Sequence, residues 1–330
     1  MKKTIFIISI IVLLSLSTRS LSQRCNKNDE KVLFQIKKSL GNPYHLTSWK
    51  KEEDCCTWYC VKCDRKTGRI NELNIFSGNI SGQIPPEVGN LPYLTMLDFH
   101  KLTNLTGQIP SSISKLTHLT YLILSWNDLS GPIPSSLNQL KNLKYLELSY
   151  NKLTGSIPPE LATLPKLTEL NLGRNKFTGV IPESFGKFKS LESLHLSHNQ
   201  LTGPVPKALG FLNLSTVDFS RNQLTGDLSM LFGKNKMIQF AYLSRNGFQF
   251  DLSKVVFPGS LEWLDLSHNK IYGSLPATLT GLRLQHLDVS YNTLCGKIPQ
   301  GGDLQKFETT SYLHNRCLCG SPLPACSKRS

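Results

Sequence analysis

A single phrase recurs along most of the chain at a nearly constant interval. Its clearest copy, residues 119–134, reads LTYLILSWNDLSGPIP. Successive copies begin 23 to 25 residues apart, and each is too short to bury an apolar face alone. The copies must therefore stack into one elongated array with a continuous core. Their first apolar positions are Ile70, Leu94, Leu119, Leu143, Leu167, Leu191, Leu214, Ile238, Leu261 and Leu284.

The spacing inside the phrase identifies the kind of array. The pattern L-x-x-L-x-L-x-x-N-x-L is that of the leucine-rich repeat. Alternate side chains of its L-x-L segment point to opposite faces, which predicts short parallel strands about 4.8 Å apart in one concave sheet. The L-S/T-G-x-I-P extension predicts 3-10 and extended segments on the convex side. We therefore predict a leucine-rich-repeat solenoid, an α/β repeat fold, with ten repeats over residues 70–306.

The asparagine of the phrase is predicted to point inward. A buried asparagine is costly unless its amide donors and its acceptor are used. We expect a ladder of asparagines that satisfies backbone groups where each coil turns, so these residues are structural rather than ligands. The ladder comprises Asn127, Asn151, Asn175, Asn199, Asn222, Asn246, Asn269 and Asn292.

All nine cysteines lie towards the two ends of the chain, where a coil lacks one neighbour. This distribution predicts disulfide-capped ends, with a cap at residues 23–69 that contains an amphipathic helix and a second cap at residues 307–330. A zinc or redox site at Cys60-x-x-Cys63 is disfavoured because a zinc site would need a second close pair. The odd count leaves one thiol over or an intermolecular bridge. The cysteines are Cys25, Cys55, Cys56, Cys60, Cys63, Cys295, Cys317, Cys319 and Cys326.

The first 22 residues have the order of a secretory signal peptide. Lys2 and Lys3 precede a largely apolar run at residues 5–16, and Ser20 and Ser22 supply the small residues of a cleavage site. The run is shorter than the roughly 20 apolar residues of a membrane span, so we predict a soluble, secreted product without one. Removal of residues 1–22 lowers the formal net charge from +14 to +11, because three cations lie in that segment.

In a secreted protein, N-x-S/T sequons are candidate sites of N-linked glycosylation, and the chain has three, at Asn79, Asn104 and Asn213. Asn79 and Asn104 follow the inward asparagine position by one residue, so both are predicted to face solvent. Asn213 lies just before a strand. We predict glycosylation at all three.

The outward positions of the concave sheet are the candidate binding face. Tyr, Trp and Arg carry much of the binding energy at protein interfaces, and aromatic residues recur here on consecutive strands. A face that mixes acids, bases and aromatics suits a protein partner better than a uniform polymer, and we expect no nucleic-acid partner. The candidates are Asp98, Tyr121, Trp126, Tyr145, Glu147, Tyr150, Glu169, Arg174, His195, His198, Asp218, Arg221, Tyr242, Arg245, Asp265 and His268.

Catalysis is disfavoured. Asp265 and Asp288 are predicted on adjacent strands about 5 Å apart, near the spacing of a retaining glycosidase pair. An open sheet, however, supplies neither an enclosing cleft nor a carboxyl group with a raised pKa. The sequence contains no G-x-S-x-G, no H-E-x-x-H and no phosphate loop. We therefore predict no catalytic residues, no cofactor and no metal.

The mature chain resembles the polygalacturonase-inhibiting proteins, which use the plant-specific form of the repeat. The resemblance rests on DCCTWYCVKC at residues 54–63, FHKLTNLTG at residues 99–107, LDLSHNKIYG at residues 264–273 and HNRCLCG at residues 314–320. It implies a plant cell-wall protein whose concave face binds fungal or insect endo-polygalacturonases and blocks pectin cleavage. Because the recognition residues of this family vary, it does not imply which enzymes are inhibited.

The resemblance also implies four disulfides, Cys25–Cys55, Cys56–Cys63, Cys295–Cys317 and Cys319–Cys326, with Cys60 left as a thiol. The positive charge separately predicts affinity for pectin. Two alternatives remain. One is a soluble receptor-like ligand binder or adaptor at the cell wall. The other is an ice-binding protein, in which we would expect one small polar residue to repeat regularly along the array. The mixture of acids, bases and aromatics on the concave face argues against ice binding.

Overall fold

A computed structural model gives the fold and describes residues 25–327. The signal peptide predicted for residues 1–22 lies outside the described residues and stays a prediction. Within residues 25–327, the helices are all too short or too polar to cross a membrane.

Within residues 25–327 the concave sheet has eleven strands in chain order: the first comes from the predicted cap at residues 23–69, and each of the ten repeats contributes one. Leu122, Leu146 and Leu170 lie opposite one another on consecutive strands and are fully buried. The first strand pairs antiparallel with the second, and all later pairs are parallel. Numbered along the chain, the strands are β1 (Val61–Cys63), β2 (Ile70–Phe76), β3 (Met96–His100), β4 (Tyr121–Ile123), β5 (Tyr145–Glu147), β6 (Glu169–Asn171), β7 (Ser193–His195), β8 (Thr216–Asp218), β9 (Phe240–Tyr242), β10 (Trp263–Asp265) and β11 (His286–Asp288).

The L-S/T-G part of each repeat forms strands of a second sheet, which has eight strands, and of a three-stranded sheet near the carboxyl end. The second sheet comprises Ser81–Gln83, Asn104–Gly107, Asp128–Gly131, Lys152–Ser156, Lys176–Gly179, Gln200–Pro204, Gln223–Gly226 and Gly247–Phe248. The three-stranded sheet comprises Tyr272–Gly273, Thr293–Lys297 and Cys317–Cys319.

Short 3-10 helices follow the I-P segment of most repeats, as predicted for the convex side. Proline occupies the N-cap of several of them, for example Pro134 and Pro182, where its ring holds φ at −62° and −61°. The 3-10 helices are Tyr44–Leu46, Cys55–Thr57, Pro86–Asn90, Ser111–Lys115, Ser135–Gln139, Pro159–Thr163, Glu183–Lys187, Lys207–Phe211, Ser229–Leu231, Leu252–Lys254, Ala277–Gly281 and Thr309–Tyr312.

The predicted asparagine ladder is confirmed. Asn175 is typical: its amide donates to the carbonyl oxygen of Leu148 at 2.9 Å, and its Oδ1 accepts from the backbone N–H of Leu153 at 3.0 Å. Each bond joins neighbouring coils and satisfies a backbone group that would otherwise be buried unpaired. The ladder also extends into the carboxyl-terminal cap, where Asn315 accepts from the backbone N–H of Leu294.

Within residues 25–327 one α-helix, α1 (Lys27–Ser39), lies at the amino-terminal end of the array, and the helix predicted there is confirmed. The side chain of Asn26 caps it, and Leu33 and Ile36 are buried against the first repeats. Asp29, which is 2% exposed, accepts two hydrogen bonds from the Arg69 guanidinium at 2.8 and 2.9 Å. This bidentate pair fixes the helix to the start of β2.

The structure contains the four disulfides that the resemblance implies, at the two ends of the array. Cys60 is the free thiol. Burial, with a smaller contribution from the Asp98 carboxylate, raises its pKa to about 12, so it is a neutral and unreactive thiol at ordinary pH. Disulfides of this number are typical of proteins that fold in an oxidising compartment.

Candidate binding face

Three outward columns run along the concave sheet, and their register is the predicted one. In strands β4 to β11 the entry column holds the first residue, with Tyr121, Tyr145 and Glu169 as neighbours. The exit column holds the last residue of these strands, with Asp218, Tyr242 and Asp265 among its members, and on β3 it continues at Asp98, the partner of Ile123. The turn column lies three residues further along the chain. All sixteen candidate residues fall on these columns, and together they form the concave face.

The turn column has an uncommon backbone. Its residues adopt φ values between +52° and +57°, in the left-handed region that side chains other than glycine and asparagine rarely enter. Large side chains in these turns remain open to solvent at the edge of the sheet: Trp126 is 52% exposed and Tyr291 is 46% exposed. The column comprises Ser77, Lys101, Trp126, Tyr150, Arg174, His198, Arg221, Arg245, His268, Tyr291 and His314.

An aromatic patch occupies the amino-terminal half of the face. The rings of Trp126 and Tyr150 stack with centroids 3.6 Å apart, and the Arg174 guanidinium lies 4.9 Å from the Tyr150 centroid. Beside them, the rings of Tyr121 and Tyr145 are 6.2 Å apart. These contacts fix the side chains before any partner arrives, which lowers the entropy lost on binding. We call these five residues the central patch.

A cationic run follows the central patch on the turn column: Arg174, His198, Arg221, Arg245 and His268 on consecutive coils. Burial and the neighbouring Arg174 and Arg221 lower the pKa of His198, and burial and Arg245 lower that of His268. The imidazoles are therefore neutral near pH 7, and the arginines supply the charge.

The turn column ends in a second ring stack that the sequence analysis missed. The His268 and Tyr291 rings are 4.1 Å apart, and so are those of Tyr291 and His314. His314 lies in the segment predicted as the carboxyl-terminal cap, outside the predicted repeats. The signal was nevertheless present, because Asn315 follows Asn292 by 23 residues, which continues the repeat spacing.

Glu147 is placed differently from the other candidates. It lies on the exit column but is only 8% exposed. Its carboxylate accepts from the backbone N–H of Ser149 at 2.8 Å and from the Asn171 amide at 2.7 Å. The Tyr145 hydroxyl lies 3.5 Å from the Glu147 carboxylate. Glu147 therefore helps to position the Tyr145 ring, and little of its own side chain is open to a partner.

Glu169 is the more accessible acid beside the central patch. Burial, followed by repulsion from Glu147, raises its pKa, and the opposing effects of His195 and the Tyr145 hydroxyl do not cancel this. Burial and the same two carboxylates raise the pKa of Tyr145. The phenol therefore keeps its proton and acts as a hydrogen-bond donor.

The aspartates of the exit column are held by local hydrogen bonds. Asp218 and Asp265 each accept from the backbone N–H and the hydroxyl of the serine two residues later, and Asp288 accepts from the Ser290 N–H. Asp265 and Asp288 are in-register neighbours, as predicted. Their bonding and the open sheet around them suit a binding scaffold.

Asp98 lies apart from the central patch, near the amino-terminal cap. Its carboxylate is 2.7 Å from Nδ1 of His100, and burial raises its pKa although that contact opposes the shift. The ring of His100 stacks on Phe76 at 5.4 Å. This cluster extends the face towards Cys60 and the first coil.

The sequon asparagines Asn79, Asn104 and Asn213 are all exposed, as predicted for the first two. Asn79 and Asn104 are neighbours, with the Asn104 amide donating to Asn79 Oδ1 at 2.9 Å. Glycosylation at the three positions stays a prediction.

One group of side chains within residues 25–327 has sulfur atoms close enough for a metal, all within 4.8 Å of one another. It consists of Cys25, Cys55, Cys56 and Cys63, which are paired in two disulfides. A disulfide sulfur is not the thiolate that zinc requires, so this cluster stabilises the cap instead.

Comparisons with known proteins agree with this architecture. The family described as "Leucine-rich repeat region" matches residues 72–200, and the "Leucine rich repeat N-terminal domain" matches residues 26–64. A crystal structure of a plant ice-binding protein superposes with a TM-score of 0.91 at 51% identity, covering 93% of this chain and all of that one. The ectodomain of the Arabidopsis thaliana receptor kinase GASSHO1/SCHENGEN3 gives a TM-score of 0.75 at 33% identity, over 88% of this chain and 35% of that one.

Several curated relatives match over almost the whole length of the chain. Polygalacturonase inhibitor 2 of Arabidopsis thaliana is 54% identical over 329 residues, which are 99% of this chain and 100% of that protein. The polygalacturonase inhibitor of Vitis vinifera is 58% identical over 329 residues, 98% of each chain. The chain therefore belongs to the polygalacturonase-inhibitor family of leucine-rich-repeat proteins.

Proposed function

We propose that this protein is a secreted plant defence protein that binds fungal or insect endo-polygalacturonases through its concave face and inhibits them. The observation that carries the proposal is the central patch, a preformed group of aromatic rings and an arginine on three neighbouring strands. Aromatic residues and arginine are the types that anchor protein interfaces. Full-length similarity to named polygalacturonase inhibitors supports the choice of partner.

Inhibition follows from occupation of the enzyme surface near its substrate cleft, which requires no chemistry from the inhibitor. A panel of fungal and insect endo-polygalacturonases, titrated with the purified secreted protein, tests the proposal through the release of reducing ends from polygalacturonate. We expect saturable inhibition of at least one enzyme. A panel that stays fully active in the presence of excess protein would contradict the inhibitor function.

We further propose that the cationic run holds the protein in the plant cell wall by binding pectin. Arg174, Arg221 and Arg245 occupy one column of the face, and the chain without residues 1–22 has a net charge of +11. Such binding must weaken with salt, because the Debye length falls from about 10 Å at 0.1 M to about 3 Å at 1 M. Retention on immobilised polygalacturonate that is unchanged at 1 M salt would rule out this account.

Ice binding is the second candidate, favoured by the similarity to a plant ice-binding protein. Hydroxyl side chains recur on the second sheet, at Thr106, Ser130, Thr154, Thr178 and Thr202. Hydrogen bonds from three of them reach the glycine carbonyl of the preceding coil, which leaves fewer hydroxyls for ice. A recrystallisation assay tests this candidate, and inhibition that a Thr154→Leu variant loses would support it.

A further inference from the structure

A recess of about 600 Å³ opens on the flank of the solenoid, where the chain enters strands β7, β8 and β9. It is separate from the central patch and is lined by residues that directly precede these strands. Its apolar wall includes Phe188, Phe211 and Met237, and its polar wall includes Ser190, Asn213 and Gln239.

The recess lies at a shortened coil. Leu214 follows Leu191 by 23 residues, whereas Leu191 follows Leu167 by 24. The residue directly before the first leucine of a repeat bonds the preceding coil elsewhere: Ser190 Oγ donates to the carbonyl oxygen of Pro165, and Ser260 Oγ donates to that of Ile238. In the shortened coil Asn213 holds this position, beside the recess.

The apolar wall is unusually open to solvent. Phe211, the last residue of its 3-10 helix, is 85% exposed, and Met237 on the next coil is 53% exposed. Phe211 and Met237 line the same recess, so they give it an exposed apolar wall that a bound group could cover. The charges in the lining are one base, Lys189, and one acid, Glu192, so the covering group need carry no net charge.

We propose that an N-linked glycan on Asn213 occupies the recess, with its first sugar packed on the ring of Phe211. Asn213 lines the recess, is exposed, and begins the sequon Asn213-Leu-Ser215. Phe211 precedes it by two residues. The C–H face of a sugar ring is apolar and suits an aromatic face, while its hydroxyls suit Ser190 and Gln239. The proposal rests on secretion, and not on enzyme inhibition.

The modification itself is a balanced transfer. The amide nitrogen of Asn213 attacks the anomeric carbon of a lipid-pyrophosphate-linked oligosaccharide, supplied with its transferase by the secretory pathway. A C–N bond forms, the bond from that carbon to the pyrophosphate oxygen breaks, and the amide loses one proton. The lipid pyrophosphate leaves. Because the attached sugar is tethered at the recess, its effective concentration there is in the millimolar range, so a weak contact suffices.

Four proteins secreted from a plant host test the proposal: the parent, Phe211→Ala, Asn213→Gln and the double variant. Glycopeptide mass spectrometry is expected to find sugar on Asn213 of the parent. Asn213→Gln is expected to lower Tm by about 2 °C or more and to increase binding of an apolar dye. Phe211→Ala is expected to lower Tm only when Asn213 carries its sugar. Asn104→Gln, which removes a sequon on the second sheet, is the matched control and should leave the effect of Phe211→Ala unchanged.

A second measurement avoids variants that fail to fold. After the folded parent is trimmed to one sugar per site, its Tm should stay close to that of the untrimmed protein. Complete removal of the sugars should lower the Tm of the parent by more than that of Asn213→Gln, which lacks the glycan in the recess. The proposal is overturned if Asn213 carries no sugar, or if Phe211→Ala shifts Tm equally with and without the glycan. Self-association of the parent through Phe211 would instead identify the recess as an interface between copies and would also overturn it.

Discussion

Replacement of Trp126 by alanine is the sharpest test of the concave face. A tryptophan buries about 150–250 Å² when fully covered. Trp126 is 52% exposed, so a partner covers about 100 Å² more of it. At about 25 cal/mol per Å², this burial is worth roughly 2.5 kcal/mol, or about sixtyfold in affinity. The stack on Tyr150 exists with and without the partner, so it adds nothing to this difference.

The assay compares inhibition constants of the parent and Trp126→Ala against one sensitive endo-polygalacturonase, with thermal melting of each protein. Tyr272→Ala is the matched control, because Tyr272 is 45% exposed but lies on the three-stranded sheet. We expect a large loss for Trp126→Ala and no change for the control or for Lys141→Ala on the convex side. The reasoning would be refuted if Trp126→Ala and Tyr145→Ala both inhibited every sensitive enzyme as well as the parent does. It would also be refuted if the loss of inhibition were explained by unfolding of the variants.

Three other changes have defined outcomes. Asn175→Ala should lower the free energy of unfolding by about 1–3 kcal/mol in urea titrations, because the Leu153 N–H loses its partner; an unchanged midpoint would contradict the ladder. Glu169→Gln should raise Tm at pH 7 but not below about pH 4, because a raised pKa in the folded state costs stability only where the carboxyl is ionised; a pH-independent effect would contradict it. Replacement of Cys25 and Cys55 by serine should cost about 3 kcal/mol, because their bond closes a loop with a sequence separation of 30; a melting curve like the parent's would contradict it.

The repeat made much of the fold predictable. A fixed spacing of leucines determines which side chains face inward, so the sheet, its register and the asparagine ladder follow from sequence. Asn175 and its neighbours could be assigned a structural role because an inward amide must be bonded. The predicted repeats ended before His314, because Cys317 and Cys319 indicate a cap, although Asn315 continues the spacing of the asparagine ladder.

Sequence predicted which residues share the concave face, but not which of them a partner can reach. Glu147 and Glu169 hold neighbouring outward positions, yet Asn171 and the Ser149 backbone bind the first and leave the second accessible. Such differences arise from contacts between side chains of adjacent coils, which the repeat pattern does not encode. The recess beside Asn213 likewise depends on how three adjacent coils pack against one another.

The most direct test of the proposed function is hydrogen exchange of the protein alone and in complex with an endo-polygalacturonase. The account predicts that binding slows amide exchange in β4, β5 and β6 and in the turns that carry Trp126, Tyr150 and Arg174. Exchange in the second sheet, for example at Lys152–Ser156, should be unchanged. Protection confined to the second sheet or to the flank recess, with the concave strands unaffected, would contradict it.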